Sequence, residues 1–140
     1  MDKFIKKERV TYLLGRLPVA MSMFGHGFER LPKLNGFSNH MVQQFNNAVL
    51  PLALVEVFSH VLPFVELLTG VLLILGLFTR AAAVLGVLIM LALIFGSSMI
   101  EQWENVFTQI VYGLCFALIY YFEPYNYYSV DRLLERGHHL

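Results

Sequence analysis

Residues 81–100 read AAAVLGVLIMLALIFGSSMI, twenty residues without a charge. As a helix rising 1.5 Å per residue this run covers roughly 30 Å, the hydrocarbon thickness of a bilayer. It predicts a transmembrane helix. Just before it, residues 64–78 are apolar apart from Glu66, and only Leu77-Phe78-Thr79-Arg80 parts the two runs, which predicts a tight antiparallel hairpin. Residues 106–122 give a shorter span, with Trp103 before it and Tyr120, Tyr121, Tyr125, Tyr127 and Tyr128 at or after its far end; aromatic residues at both ends mark the two interfaces. The first span, residues 10–28, carries Arg16 and Pro18 near its middle and His26 near its end. Its Lys-rich start suggests a signal peptide, but Arg16 cuts the apolar stretch and no small-x-small cleavage site follows, so it is assigned as a mature helix.

Working outward, the chain reads as one domain over residues 1–140, with spans at about 10–28, 57–78, 81–100 and 106–122. The predicted fold class is an all-α membrane protein, a four-helix transmembrane bundle with a short outer-side surface helix. That surface helix is expected after a Ser38 cap, where Met41, Val42, Phe45 and Val49 recur at helical spacing. Leu52 onward continues toward the second span, so that helix is expected to start early and bend at Pro63. Four spans place both termini on one side. Lys3, Lys6, Lys7, Arg9, Arg80, Arg132 and Arg136 fall on one face, against Arg30 and Lys33 on the other. The positive-inside rule therefore makes the termini cytoplasmic and the location the cell (inner) membrane. A short amphipathic helix, started or capped by Asp131, is expected on that cytoplasmic side.

Composition excludes several functions. A chain that is 57% hydrophobic and 14% charged, with mean hydropathy +0.61, is not an ordinary soluble domain. Ten basic against ten acidic residues leave no surface for a nucleic-acid backbone. The single cysteine, Cys115, excludes an intramolecular disulfide, a Cys-based zinc site and a two-thiol relay. No phosphate loop or hydrolase motif occurs, so any catalysis is lent by a partner.

The candidate site residues are the polar groups inside the spans. An arginine at a helix centre costs about 2.5–3.5 kcal/mol on insertion scales, so Arg16 needs a partner, and Glu66 is the acidic residue available within a span. Counted from Lys7 and Arg80 they lie about 13 and 21 Å deep, a difference of ~8 Å at 1.5 Å per residue. An Arg16–Glu66 pair is expected, either as a structural tie or as the anchor of a polar head group. Asn105, Gln109, Tyr112 and Phe116 share one face of the last span and are expected to look inward, bonding neighbouring helices or a ligand. His26, His40 and His60 fall toward the outer side; without a tight motif they are weak evidence for metal or haem, and no metal is assigned. Pro18 and Pro63 free the carbonyls of Leu14 and Ser59.

Taken in order, Gly15-Arg16-Leu17-Pro18, Gly25-His26-Gly27-Phe28 with Lys33-Leu34, Leu62-Pro63-Phe64-Val65-Glu66-Leu67-Leu68-Thr69-Gly70, Leu75-Gly76-Leu77-Phe78-Thr79-Arg80-Ala81-Ala82 and Ser129-Val130-Asp131 resemble the DoxX family of small four-helix membrane proteins. The likeness covers nearly the whole chain, and its most specific parts are Arg16 followed by His26-Gly27 and Lys33, Glu66 ahead of Gly70, and the Gly-Leu-Phe-Thr-Arg hairpin. It implies kinship with the DoxD-like subunit of thiosulfate:quinone oxidoreductase, with Arg16, Glu66 and Arg80 at recurrent polar positions. The family is mostly of unknown function; members are linked to membrane redox complexes and to thiol or oxidative stress. The stretch 43–59 is longer and more apolar than that pattern.

Two functions follow as expectations. One is an accessory subunit of a quinone-linked redox complex, holding a quinone in contact with membrane lipid and a partner oxidoreductase subunit, with Arg16, His26, Glu66, Asn105, Gln109 and Tyr112 as the ligand-binding set. The other is a small-molecule or lipid-binding carrier, or a structural membrane protein in which these groups satisfy one another. A homodimer is compatible with either.

Overall fold

The computed structural model describes residues 2–137; residue 1 and residues 138–140, which include both termini, lie outside it. The described chain is all helical: α1 (Asp2–Arg30), a 3-10 turn (Leu31–Lys33), α2 (Leu34–Gln44), α3 (Leu52–Leu75), α4 (Thr79–Met99), α5 (Trp103–Tyr121), a second 3-10 turn (Glu123–Tyr125) and α6 (Val130–Gly137). Helices α3 and α4 are long and apolar enough to cross a membrane, and only 39% and 33% of their apolar windows are buried. Most of that apolar surface therefore faces outward, as lipid contact requires and as the core helix of a soluble protein does not.

The four long helices pack as two pairs, α1 on α3 and α4 on α5, with thinner contact between the pairs. Glycines set the first pair. Gly27 lies against the Leu67 backbone and Gly70 against the Phe24 backbone, so closely that a Cβ at either would overlap the facing main chain. Small residues allow such approach between membrane helices. This antiparallel register puts Arg16 level with Phe78 and Glu66 level with Phe28. Arg16 and Glu66 are then about twelve residues, ~18 Å, apart along the axis, and the expected pair does not form. Depths counted from Lys7 and Arg80 do not share an origin, because α1 is 29 residues long, begins well before Arg16, and does not place Lys7 level with Arg80.

Helix α2 starts at Leu34, and Ser38 is buried inside it, where its hydroxyl bonds that of Ser59 on α3 at 2.6 Å. Ser38 is a helix tie and not a cap. Phe37 and Met41 turn toward the hydrophobic core, and Phe45 is buried beside Gly96 of α4, so α2 packs on α3 instead of lying free on a surface. Val49 is beyond α2 and exposed. Helix α3 does begin at Leu52 and continues through Pro63; α1 likewise continues through Pro18.

The α3–α4 turn is made by Gly76, at φ 67°, whose N–H and that of Leu77 both reach the Leu72 carbonyl, a left-handed helix stop. An alanine there meets both the φ penalty and overlap with Ser129 and the Arg16 guanidinium. Gly76→Ala is expected to cost about 2–4 kcal/mol of unfolding free energy in detergent. Gly36→Ala, whose methyl meets no neighbour, should instead be neutral or stabilising by up to ~1 kcal/mol in the α2 interior.

Candidate functional site

Two polar centres lie at opposite ends of the helix pairs. At the α3–α4 turn, Arg16 is only 1% exposed. It donates to the Asn126 amide oxygen and, at 3.0 Å, to the Tyr128 carbonyl. Asn126 donates onward to Thr79 Oγ1 at 2.9 Å, and Thr79 donates to Asp131 Oδ2 at 2.8 Å. Asp131 also accepts the backbone N–H groups of Phe78 (2.7 Å) and Thr79 (2.9 Å). It thus caps the start of α4, where Phe78 holds a left-handed φ of 47°, and places its negative charge on the positive helix end. The helix expected around Asp131 does form, but the carboxylate serves α4. Tyr12 adds a bond from its phenol to the Ile119 carbonyl at 2.8 Å. This hub ties the segment after α5 to α1 and the hairpin.

At the other end, the two helix pairs and α2 leave a cavity of about 590 Å³. Its walls are mainly apolar, with Met23 of α1, Phe37 and Met41 of α2, Leu54, Phe58 and Leu62 of α3, and Met90 and Leu93 of α4. Five of the expected site residues, His26, Glu66, Asn105, Gln109 and Tyr112, line it, and Arg16 does not. A mostly apolar pocket with a few convergent polar groups is the usual form of a small-molecule site.

Its polar groups are unequally satisfied. Glu66, with a side chain 4% exposed, receives Arg30 Nη1 at 2.8 Å to each carboxylate oxygen. Arg30 sits 4.6 Å over the Phe37 ring. Tyr112 and Ser22 share a hydroxyl hydrogen bond joining α5 to α1, and the His26 ring nitrogen Nδ1 lies 2.7 Å from the Ser22 carbonyl. Asn105 donates to Gln102 at 2.6 Å. Gln109 donates to Ser97 Oγ on α4 at 3.0 Å, yet its amide oxygen is buried with no partner. A buried unpaired acceptor costs on the order of 1–3 kcal/mol, and the Gln109 side chain has to turn for that oxygen to meet a ligand in the cavity. Phe116, on the same α5 stripe, is fully buried and packs against Gly86 of α4.

The sequence does not point to Arg30 as a site residue because it stands beyond the expected first span, among the outer-side charges. The signal was present: Ser22, His26 and Arg30 recur every fourth residue and so share one face of α1. His60 is set apart, within 3.2 Å of Ser38. Among the described residues no three His, Cys, Asp or Glu side chains converge to hold a metal ion. Outside the spans, the Arg136 guanidinium hydrogen-bonded to the Tyr127 phenol holds that phenol below its ordinary pKa.

Comparison with family models matches residues 11–98 to the DoxX family. This is well over half of the chain, and the chain belongs to that family. The matched stretch carries Arg16, His26, Arg30 and Glu66, and it ends before Asn105, Gln109, Tyr112 and Asn126. Comparisons with curated proteins and with solved structures gave no match.

Proposed function

We propose that this DoxX-family membrane protein is an accessory subunit of a quinone-linked redox complex, with α1, α3, α4 and α5 crossing the membrane and a quinone held in the cavity between the helix pairs. The observation that carries the proposal is a 590 Å³ aromatic and aliphatic cavity onto which Gln109, Tyr112, His26 and the Arg30–Glu66 pair converge. Gln109 and Tyr112 flank the head group from α5, and the Arg30–Glu66 pair with His26 flanks it from α1 and α3. The apolar side chains of α3 and α4 take the isoprenoid tail. A quinone supplies two-electron redox chemistry when bound. The chain's own residues bind and orient it, and a partner oxidoreductase supplies or removes the electrons. Arg9, Arg80, Arg132 and Arg136 all lie at the hub end, which supports a cytoplasmic hub and an outward-facing cavity in the cell membrane.

The competing carrier or structural role is supported at one place, Arg16, whose bonds are all internal to the hub. The two are separated by purification in mild detergent, lipid extraction and mass spectrometry. Near one quinone per chain is expected, and Gln109→Leu should lower its retention about tenfold, the equivalent of one hydrogen bond of ~1.4 kcal/mol. Wild-type protein that carries no quinone would sink the quinone proposal.

A further inference from the structure

Beside α6, at the hub end, a separate polar crevice of about 280 Å³ is lined by Arg9, Arg80, Glu123, Tyr127, Arg132 and Glu135, together with Asp131 and Asn126 of the hub. It has room for several waters, which is far looser than the close-packed hub beside it. Its charges are not used up internally. Arg80 reaches only the Oε2 oxygen of Glu123, at 2.6 Å, and Arg132 only the Oε2 oxygen of Glu135, at 2.8 Å. Each carboxylate keeps a second oxygen without a hydrogen bond among the described residues. Arg9 lies 4.1 Å over the Tyr127 ring, with no carboxylate in ion-pair contact among the described residues.

Three arginines face three carboxylates, Asp131 being the third and already spent on α4. A ligand with negative charge alone would meet Glu123 and Glu135, and one with positive charge alone would meet Arg9. A zwitterion with an anionic phosphate and a hydrogen-bonding ammonium matches both. The crevice sits where the exposed rings of Tyr120, Tyr121 and Tyr128 and the exposed Leu133 and Leu134 of α6 place the lipid head-group level.

We propose that this crevice binds the phosphoethanolamine head group of a phospholipid, with its phosphate on Arg9 and its ammonium on the free oxygen of Glu123. A choline head group carries the same charges but has no N–H to donate, and a glycerol head group lacks the cation. The site lies at the end of the molecule opposite the quinone cavity, and neither proposal depends on the other.

The test uses the full chain, delipidated in detergent, with phosphatidylethanolamine, phosphatidylcholine and phosphatidylglycerol of identical acyl chains added separately. Native mass spectrometry and thermal unfolding read the result. Phosphatidylethanolamine should bind at one per chain at least tenfold more tightly than the other two and give the largest rise in unfolding midpoint. Arg9→Gln should erase that preference, Arg9→Lys should keep most of it, and Glu123→Gln should bring phosphatidylethanolamine down to the level of phosphatidylcholine. Equal binding of the ethanolamine and choline lipids, tighter binding of the glycerol lipid, an unchanged preference in folded Arg9→Gln, or full replacement by free phosphoethanolamine would each overturn the proposal.

Discussion

Arg16→Leu is expected to lower the unfolding free energy by about 2–6 kcal/mol. The substitution leaves one buried acceptor, the Asn126 amide oxygen, and one part-buried acceptor, the Tyr128 carbonyl, without donors, and each such loss costs up to ~1–3 kcal/mol. Removing a buried guanidinium also relieves its desolvation, which keeps the upper figure from being exceeded. Arg16→Lys should recover less than half, because an ammonium is a compact point donor and cannot span both acceptors as the planar fork does. Asn126→Leu should be about as damaging. The Arg16/Asn126 double change should cost clearly less than the two losses added, since both act through one network. Denaturant unfolding in detergent measures all four. Quinone per folded chain should be unchanged in Arg16→Leu, because Arg16 does not line the cavity. Full stability in Arg16→Leu would show that the hub does not hold the C-terminal segment to the bundle.

The contrast between Arg16 and the spans around it shows how far the sequence could be followed. The helices at α3 and α4 were legible because long apolar runs have few alternatives, and the hairpin was legible because only Leu77 to Arg80 part the two runs. The α5 stripe was legible from its four- and three-residue spacing, which put Gln109 and Tyr112 on the inward face. Side-chain pairing was not legible, because it depends on how far one helix slides along another. Gly27 against Leu67 and Gly70 against Phe24 set that slide, and a glycine in a sequence does not name the residue it will face. Asn126 was invisible for a different cause: it is a neutral residue in a short connection, and its importance comes from the buried cation that reaches it. Asp131 gave a correct local signal for a helix start, but the helix it caps is 52 positions earlier in the chain.

The second large effect concerns the pair that does form, and its two halves should not be equivalent. Glu66 is 4% exposed while Arg30 is 25% exposed at the end of α1. After Glu66→Leu the arginine can swing its long stem toward the head-group level and recover hydration. After Arg30→Leu the carboxylate has no such exit. Arg30→Leu is therefore expected to cost about 3–5 kcal/mol, the range for a buried charge left alone, and Glu66→Leu distinctly less. The Arg30→Leu/Glu66→Leu double variant should return close to wild-type stability, because an apolar pair of similar volume satisfies the same space. In a double-mutant cycle the coupling between residues 30 and 66 should exceed ~1 kcal/mol, and that between residues 16 and 66 should fall within about 0.5 kcal/mol of zero, as for well-separated sites. The same samples decide what the pair is for. If it only fixes α1 against α3, the double variant retains quinone as well as stability. If the head group uses it, stability returns and quinone retention does not, and the proposed function requires the latter. A residue 16–66 coupling as large as that between 30 and 66 would mean that the glycine-set register of α1 on α3 is wrong, and with it the placement of both polar centres.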